Sequence, residues 1–470
     1  MRAARITASA VASIAALGAG CRRPARPRAD ASASRDAGST SVITPARSAA
    51  RGCPATDPAA RRREGTLHAD AMRGHEVWTA AGSPHRAPHG MFLMAGARLA
   101  LEPCALVLVG EGRDVVVQDG ATLVSEGEPG RPVRFDAEGD APPPGAWRGV
   151  EVRRRANPET RFVWTHLDHA GAPAAERGDP PAGLRVFAPS LRASHLAVAS
   201  SGGWGVALQE AGAFSDDAGP LTVRGAREGA VTVADVSRVS TLPLGDYRGN
   251  ARDEVRVELR DAVLTASARW RDLGVRYRVP ASRRLRVEGA DAPALTLDPG
   301  VTVAFDDDAA LEVGWRAPGA LVAVGDGPDA RVSLVAAGEG ARPRWVGVLF
   351  GPLAVASTSR LRWARIEGAG RPSGAFLPHC APAGPELDPD RAMVTFASIE
   401  ARNVIRDTLF VAGPTAGVAV LWAGDREGAP EDVTAPSHGN EFDTNSIGCP
   451  QSWARVGGAC PVRPSCARRP

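Results

Sequence analysis

The sequence predicts an all-β solenoid built from short stacked strands. Apolar residues alternate with polar ones through residues 292–313, where the odd positions carry Leu295, Leu297, Val301, Val303, Phe305, Leu311 and Val313. Pro299 and Gly300 interrupt this alternation at a turn. The stretch has no helical period, and the 52 glycines and 39 prolines of the chain supply many further turns.

The sequence also contains two copies of one long pattern. The segment ARLALEPCALVLV at 97–109 matches PALTLDPGVTVAF at 293–305, and GATLVSEGEPGRPVRF at 120–135 matches GALVAVGDGPDARVSL at 319–334. Pairs of tryptophans keep the same order in the two copies: Trp78 with Trp270, Trp147 with Trp345, and Trp164 with Trp363. A unit of roughly 200 residues is much longer than one solenoid repeat, so each copy must contain several stacked rungs.

These features divide the chain into five segments. They are a signal segment at 1–20, a tether at 21–64, a first block of rungs at 65–260, a second block at 261–445 and a cysteine-bearing cap at 446–470. The tether is rich in Arg, Ala, Pro and Ser and has no apolar period, which is typical of disorder. Its basic charge would suit anionic lipid head groups, although a solvated spacer is the simpler interpretation.

Residues 1–20 resemble a bacterial lipoprotein signal. Two arginines precede a short apolar stretch at 6–17, and the sequence LGAGC ends at Cys21. In signals of this kind the cysteine is lipidated and becomes the new N-terminus, so the resemblance implies a lipid anchor at Cys21. The apolar stretch is too short to remain as a membrane span, which needs about 20 residues.

The residues around Cys21 leave one alternative for the signal and indicate a cellular location. Gly18 stands where a leucine is usual, so an ordinary signal peptide cleaved elsewhere is the alternative. Arg22 and Arg23 follow the cysteine, without the aspartate that often accompanies retention at the inner membrane. The resemblance therefore favours an outer-membrane lipoprotein of the bacterial envelope.

Cysteine usage supports export to an oxidising compartment. Beside Cys21, the chain carries an even number of cysteines as disulfide candidates: Cys53, Cys104, Cys380, Cys449, Cys460 and Cys466. A bond between Cys53 and Cys104 would fasten the end of the tether to the first rung, and the other pairings stay open. A zinc site is the alternative, but no CxxC or Cys–His pair stands at ligand spacing.

The charge balance gives no reason to expect a nucleic-acid partner. All 56 basic residues are arginine, and 53 acidic residues nearly cancel them, which leaves a net charge of +3. The expected partners are the membrane, through the lipid anchor, and a polysaccharide or a surface protein.

The rung pattern resembles a known family. The order W…LTLxPGVxVxF…GALVA…WxGV…RxxIExAG resembles bacterial right-handed parallel β-helix repeat proteins of the pectin-lyase-like fold, which are often exported lipoproteins. The resemblance covers most of residues 75–450 and implies that the two tandem blocks form a right-handed parallel β-helix. Such motifs describe rungs and not sites, so we expect a non-enzymatic scaffold with a binding or structural surface.

The alternative is a polysaccharide lyase or glycoside hydrolase that works in the side groove of the helix. The pair Asp168-His169 is distantly similar to an Asp–His pair of pectate lyases, and RVPASR at 278–283 fits the RxPxxR pattern that carries their catalytic arginine. The resemblance would give catalytic roles to Asp168, His169, Arg278 and Arg283. In a chain so rich in arginine this match has little weight. On a strand, His166 and His169 would face opposite ways, which argues against joint metal binding.

Acidic and histidine clusters give weak metal predictions. Asp306, Asp307 and Asp308 follow the strongest strand and offer oxygen ligands for Ca²⁺. Because successive strand residues point to opposite faces, three in a row converge only at a turn, and a solvated turn is the favoured interpretation. Four histidines precede the first clear rung and form a second candidate: His68, His75, His85 and His89. No cofactor is expected, with Ca²⁺ as the alternative.

The tryptophans are natural platforms for sugars, because sugars stack on flat apolar rings. The tryptophans that occur at matching places in both blocks are more simply explained by packing. Trp315 and Trp453 have no counterpart and are the better surface candidates, although packing is favoured for them as well.

Overall fold

The structure is a computed structural model that describes residues 53, 58–173, 178–261, 263–338, 344–374, 389–397, 403–413, 416–423, 432–443 and 445–456. These residues belong to one compact unit, Ala50–Pro470. The helical segments are α1 (Pro58–Arg61) and the 3₁₀ turns Ala80–Gly82, Val236–Thr241, Pro389–Arg391 and Pro436–His438. None of the described helices has the length and apolar character needed to cross a membrane.

Short β-strands make up nearly all the remaining regular structure. In the first half of the chain they are β1 Thr66–Leu67, β2 Ala71–Met72, β3 His75–Trp78, β4 His85–Ala87, β5 Met91–Leu93, β6 Arg98–Leu101, β7 Leu106–Val109, β8 Asp114–Val117, β9 Thr122–Glu126, β10 Val133–Ala137, β11 Gly149–Val152, β12 Arg161–Asp168, β13 Ala182–Val186, β14 Arg192–Ala199, β15 Trp204–Leu208, β16 Leu221–Arg224, β17 Gly229–Asp235, β18 Gly245–Asp246 and β19 Glu254–Asp261. In the second half they are β20 Val263–Leu264, β21 Ala268–Trp270, β22 Arg276–Val279, β23 Arg284–Val287, β24 Ala294–Leu297, β25 Thr302–Phe305, β26 Ala310–Val313, β27 Ala320–Val324, β28 Val332–Ala336, β29 Gly347–Phe350, β30 Arg360–Arg362, β31 Ala364–Glu367, β32 Val394–Ala397, β33 Ile405–Arg406, β34 Leu409–Val411, β35 Ala416–Ala423, β36 Glu441–Phe442 and β37 Cys449–Val456.

These strands pair in parallel and form four sheets. An 11-stranded sheet runs β1-β4-β7-β10-β12-β14-β16-β18, with a branch β3-β6-β9 that also joins β12. A 14-stranded sheet runs β2-β5-β8-β11-β13-β15-β17-β19-β22-β25-β28-β31-β34-β36. A 7-stranded sheet runs β20-β23-β26-β29-β32-β35-β37, and a 5-stranded sheet runs β21-β24-β27-β30-β33.

From β20 to β34 the chain visits the 7-stranded, 5-stranded and 14-stranded sheets in turn, so it returns to the same sheet at every third strand. This all-β, parallel arrangement is compatible with a β-solenoid. One hydrophobic cluster, which extends from Met72 to Ile447, fills the space between the sheets. The predicted alternation at 292–313 is confirmed, because its odd-numbered apolar residues are buried in and beside β24, β25 and β26.

The matching tryptophans of the two blocks make the same hydrogen bond. Trp147 and Trp345 are fully buried. The indole Nε1 of Trp147 donates to the carbonyl oxygen of Asp168 at 2.7 Å, and that of Trp345 donates to the carbonyl oxygen of Glu367 at 2.8 Å. Each indole therefore fastens the end of a strand, at a residue that follows it by 21 positions in the first block and by 22 in the second.

Matching positions also share an unusual backbone conformation. Trp164 and Trp363 have φ values of +45° and +47°. Cys104 has a φ of +70° where the second block has Gly300 at +83°. Residues other than glycine adopt this left-handed region only when the surrounding structure holds them there. The two blocks thus bend their chains at the same places.

The two blocks are nevertheless not a seamless continuation of each other. The matching strands β7 and β25 lie in different sheets, the first in the 11-stranded sheet and the second in the 14-stranded sheet. Among the described strands, the 14-stranded sheet is the one that passes from block to block, through the pairing of β19 with β22.

The predicted disulfide between Cys53 and Cys104 is present, with the two Cα atoms 5.2 Å apart. Cys449, which is buried in β37, is also disulfide-bonded. The predictions for Cys21, Cys380, Cys460 and Cys466, for the signal segment and for most of the tether fall outside the described residues.

We predict that Trp345→Phe lowers the free energy of unfolding more than Trp270→Phe. Both indoles are fully buried, but among the described residues Trp270 Nε1 has no hydrogen-bond partner. A buried unpaired donor costs about 1–3 kcal/mol, so removing it offsets part of the lost packing at Trp270 but not at Trp345. Urea unfolding with the disulfides intact should separate the two variants by about 1–2 kcal/mol. Equal losses would contradict this account.

Candidate functional site

A group of charged and histidine side chains lies on the outer face of the 11-stranded sheet. Phe135 of β10 and Leu167 of β12 are paired in register and point into the core. Because side chains alternate along a strand, their neighbours point outward. Arg134 therefore stands beside His166 on this face.

Asp136 follows Phe135 on β10 and Asp168 follows Leu167 on β12, so both carboxylates occupy the next outward position. Asp168 Oδ2 accepts a hydrogen bond from Arg134 Nη1 at 3.3 Å. Burial raises the pKa of Asp168 above its ordinary value, and the neighbouring Asp136 carboxylate raises it further, while Arg134 opposes both effects. Asp168 therefore keeps its proton to a higher pH than a solvated aspartate would.

His169 follows the last residue of β12 and has a φ of +54°. This left-handed residue takes the side chain out of the alternation of the strand, so the expectation that His169 faces away from His166 as a strand residue was wrong. His169 Nδ1 lies 2.9 Å from Asp136 Oδ1. An ionised carboxylate can only accept, so Nδ1 is the donor in this contact and Nε2 is the nitrogen that the contact leaves free.

Asp136 is held from its other side by the segment that enters the coil. Its carboxylate pairs with Arg61 of α1 and also accepts from the backbone N–H of Ala137 at 2.8 Å. Arg86 of β4 donates to the carbonyl oxygens of Arg61 and Arg63, at 2.6 and 2.8 Å. These contacts of residues 61–63 fix the carboxylate that orients His169.

The outward residues on the following strand, β14, are small. Asp168 is in register with Ala199 of β14, and His166 is in register with Ala197. Thr222 and Arg224 of β16 come next. The two alanines form a low floor between the acidic cluster and these residues.

Two aromatic rings border this floor. Trp164 lies at the corner where β12 pairs with both β9 and β10, and its ring stacks on the exposed ring of His195 with centroids 3.9 Å apart. Trp164 is half-buried, whereas the packing predicted for the paired tryptophans is confirmed at Trp78, Trp147, Trp270 and Trp345, which are buried. Trp315 is half-buried.

The structure does not bring the four predicted catalytic residues together. Arg278 of β22 contacts Asp306 through two nitrogens, with Nη2–Oδ1 at 3.0 Å and Nε–Oδ2 at 3.1 Å, and reaches the buried Glu254 at 3.3 Å. Arg283 lies in an exposed turn between β22 and β23. In the 14-stranded sheet, β22 is four strands beyond β13, the strand that follows Asp168. The distance between β13 and β22 is therefore about 19 Å, at about 4.8 Å for each strand spacing.

The three consecutive aspartates do not converge on one point. Asp306 pairs with Arg278, Asp307 with Arg344 at 2.8 Å and Asp308 with Arg371 at 2.7 Å. Each carboxylate is directed at a different guanidinium, as expected for a turn. Nowhere in the described ranges do three His, Cys, Asp or Glu side chains gather in a way that could hold a metal ion.

Two of the four N-terminal histidines contact each other. His68 Nε2 and His85 Nδ1 are 3.0 Å apart, and His85 Nε2 lies 2.9 Å from the carbonyl oxygen of Thr79. Since that oxygen can only accept, His85 donates to it and accepts from His68. Trp78 stacks on both rings, and burial is the main cause that lowers both pKa values. His75 and His89 are exposed and are not part of this contact.

The second block lacks the cluster. At the positions that match Arg134, Asp136, His166, Asp168 and His169 it carries Ser333, Val335, Arg365, Glu367 and Gly368. Asp136 and Arg134 were missed by sequence reasoning, because no motif surrounds them. The one signal that could have identified them was this difference between two otherwise matching blocks.

Comparison with known protein families, with curated proteins and with solved structures finds no match to this chain.

We predict that His166 makes the folded state less stable in acid. Burial, with a smaller effect of the nearby Arg134 guanidinium, lowers the pKa of His166 to about 4. Between that value and the ordinary value of about 6.5, the unfolded chain binds a proton that the folded chain does not. The free energy of unfolding should therefore fall as the pH drops from 7 to 5, and His166→Gln should reduce that fall.

Titration of the His166 ring by NMR checks the cause directly. The ring should titrate near pH 4 in the wild type, and Arg134→Gln should raise its pKa because a neighbouring cation is removed. A wild-type ring that titrates near pH 6.5 would contradict the assignment.

Proposed function

We propose that this chain is a lipid-anchored protein of the bacterial outer membrane that binds an extended glycan. Its scaffold would be a right-handed parallel β-helix of two tandem blocks, and its role on this face would be binding. The glycan would lie on the outer face of the 11-stranded sheet, across β10, β12, β14, β16 and β18.

The observation that carries this proposal is the floor of small residues with polar side chains on both sides. Ala197 and Ala199 are half-exposed between His166 and Asp168 on one strand and Thr222 on the next. From β10 to β18 the face spans four strand spacings, or about 19 Å. A sugar chain needs such a shallow, elongated surface with hydrogen-bonding groups at its edges.

The stacked rings of Trp164 and His195 add the second element of sugar recognition. A flat apolar ring packs against the apolar face of a sugar, and the half-buried position of Trp164 leaves the exposed His195 as the outer part of the pair. In the second block, Arg331 lies over the ring of the matching Trp363, with its guanidinium carbon 5.4 Å from the ring centre. The floor and an open aromatic border occur together in the first block.

Export and anchoring rest on other features. The signal resemblance at 1–20 supports lipidation of Cys21, and the disulfide between Cys53 and Cys104 requires an oxidising compartment to form. The disulfide of Cys53 with Cys104 and the ion pair of Arg61 with Asp136 join the end of the tether to the first block, so force on a lipid anchor would reach that block through covalent and ionic contacts.

We predict that Trp164→Ala weakens glycan binding about tenfold, because it removes the ring on which the exposed His195 stacks. Trp363→Ala is the matched control, since Trp363 has nearly the same φ and lies at the same place in the other block. The full chain should be tested against neutral and acidic polysaccharides by calorimetry. Binding of a protein partner alone, or equal effects of the two variants, would contradict the glycan proposal.

We predict that a radiolabelled fatty acid enters the wild-type chain in bacteria and does not enter Cys21→Ala. The thiol of Cys21 is the expected acceptor in the signal resemblance. The sucrose-gradient position of the labelled protein then tests the outer-membrane address. Label that enters both chains equally would remove the claim of an anchor at Cys21.

A further inference from the structure

Ser200 lies beside His169 at the end of the neighbouring strand. Asp168 and Ala199 are in register as the last residues of β12 and β14, so His169 and Ser200 follow them at equivalent places. The backbone continues the ladder there, because His169 N donates to Ala199 O at 3.1 Å and Ser200 N donates to Arg224 O at 3.0 Å. Neighbouring strands lie about 4.8 Å apart, so the two side chains start within reach of each other.

These two residues occupy a column of left-handed positions where glycine would be less strained. His169 and Ser200 have φ values of +54° and +53°, and the next member of the column, Gly225, has +69°. The second block has Gly368, at +66°, where the first has His169. Residues with side chains persist in this region only where the surrounding structure holds them, and they cluster at active sites and ligand clamps.

The orientation of the imidazole suits a role for its free nitrogen. His169 Nδ1 is directed at Asp136 on β10, and the two ring nitrogens point away from each other, so Nε2 points away from β10. Ser200 lies on that other side, directly after the last residue of β14. Its side chain is half-exposed, and within the described residues its hydroxyl forms no hydrogen bond, so it is free to turn about χ1 when a substrate enters.

We propose that Ser200 and His169, with Asp136 as the positioning residue, form a nucleophilic site that hydrolyses small acyl esters, such as acetyl groups on a sugar. Ser200 Oγ would attack the ester carbonyl carbon while its proton passes to His169 Nε2. The bond to the alcohol oxygen breaks, and the leaving alcohol takes the proton from His169. Water then adds to the acyl-serine in the same way, which releases the carboxylic acid and restores Ser200.

Arg224 supplies a positive charge next to this site. It is in register with Ala199, the residue before Ser200, and its side chain is 63% exposed, with a loose contact to Asp246 at 3.9 Å. A guanidinium in this place can stabilise the negative oxygen of the tetrahedral intermediate or hold an acidic substrate.

This activity goes beyond the proposed glycan binding and does not depend on it. A small ester such as p-nitrophenyl acetate needs no sugar-binding surface. Failure of glycan binding and failure of ester hydrolysis are therefore separate results.

The test uses the purified full chain with its disulfides formed. The chain is incubated with p-nitrophenyl acetate and, separately, with a fluorophosphonate probe whose attachment site is found by mass spectrometry. We expect label on Ser200 and a loss of at least about a hundredfold in kcat/KM for Ser200→Gly and His169→Gly. Both glycine variants suit the left-handed backbone, so they should fold, which circular dichroism checks. Added imidazole should restore part of the rate of His169→Gly.

Two further variants make the outcome decisive. Ser194→Ala is a control for a second serine–histidine contact, because Ser194 Oγ lies 2.9 Å from His195 Nδ1 and no carboxylate takes part in that contact. This variant should keep the full rate. Asp136→Asn should lower the rate and change the pH–rate profile, because an amide no longer fixes the proton on Nδ1. Hydrolysis that is unchanged in Ser200→Gly, label that attaches elsewhere, or no hydrolysis in the wild type would each overturn the proposal.

Discussion

The stacking of each buried side chain on its equivalent in the next strand is the interaction on which the whole structure depends. Val107, Phe135, Leu167, Val198 and Val223 illustrate it, since they are in register on successive strands of the 11-stranded sheet and all are buried. A fully buried side chain of this kind contributes roughly 1.5–3 kcal/mol, but only if the strands above and below cover it. No strand of two to eight residues could therefore be stable alone, and inward positions have little freedom to vary.

The same constraint leaves the outer face and the turns free to differ. An outward residue touches mainly its two ladder neighbours, so a change such as Asp136 in one block and Val335 in the other leaves the core untouched. Left-handed turn residues form a second set of columns, because each strand must end by the same bend if the next is to stack on it. When such a residue carries a side chain, as His169 does, that side chain is presented at a fixed height along the coil.

The alternation of apolar residues in the sequence predicts which side chains face the core. It does not predict which residues of neighbouring strands are paired. Leu295 and its alternating neighbours could be assigned to the core because burial follows a period of two along the chain. The contact of Asp136 with His169 joins residues on different strands, and no pattern within either strand encodes that pairing. His169 was misplaced for a related reason, since alternation assumes an extended backbone and its φ of +54° ends the strand. The pattern RxPxxR fixes spacing along the chain, whereas a site depends on distances between strands that the pattern does not encode.

The two matching blocks of the sequence provide a comparison for deciding which polar residues matter. Trp147 and Trp345 make the same hydrogen bond in both blocks, so that feature belongs to the architecture. The ion pair of Arg365 with Glu367, at 2.7 Å, shows what the same outward ladder holds when it only solvates a surface. In the first block that ladder instead buries a carboxylate against a second one and pairs the second with a histidine. Since burying charges beside each other is unfavourable without a compensating use, the first block and not the second is where selection for a ligand or a reaction should be sought.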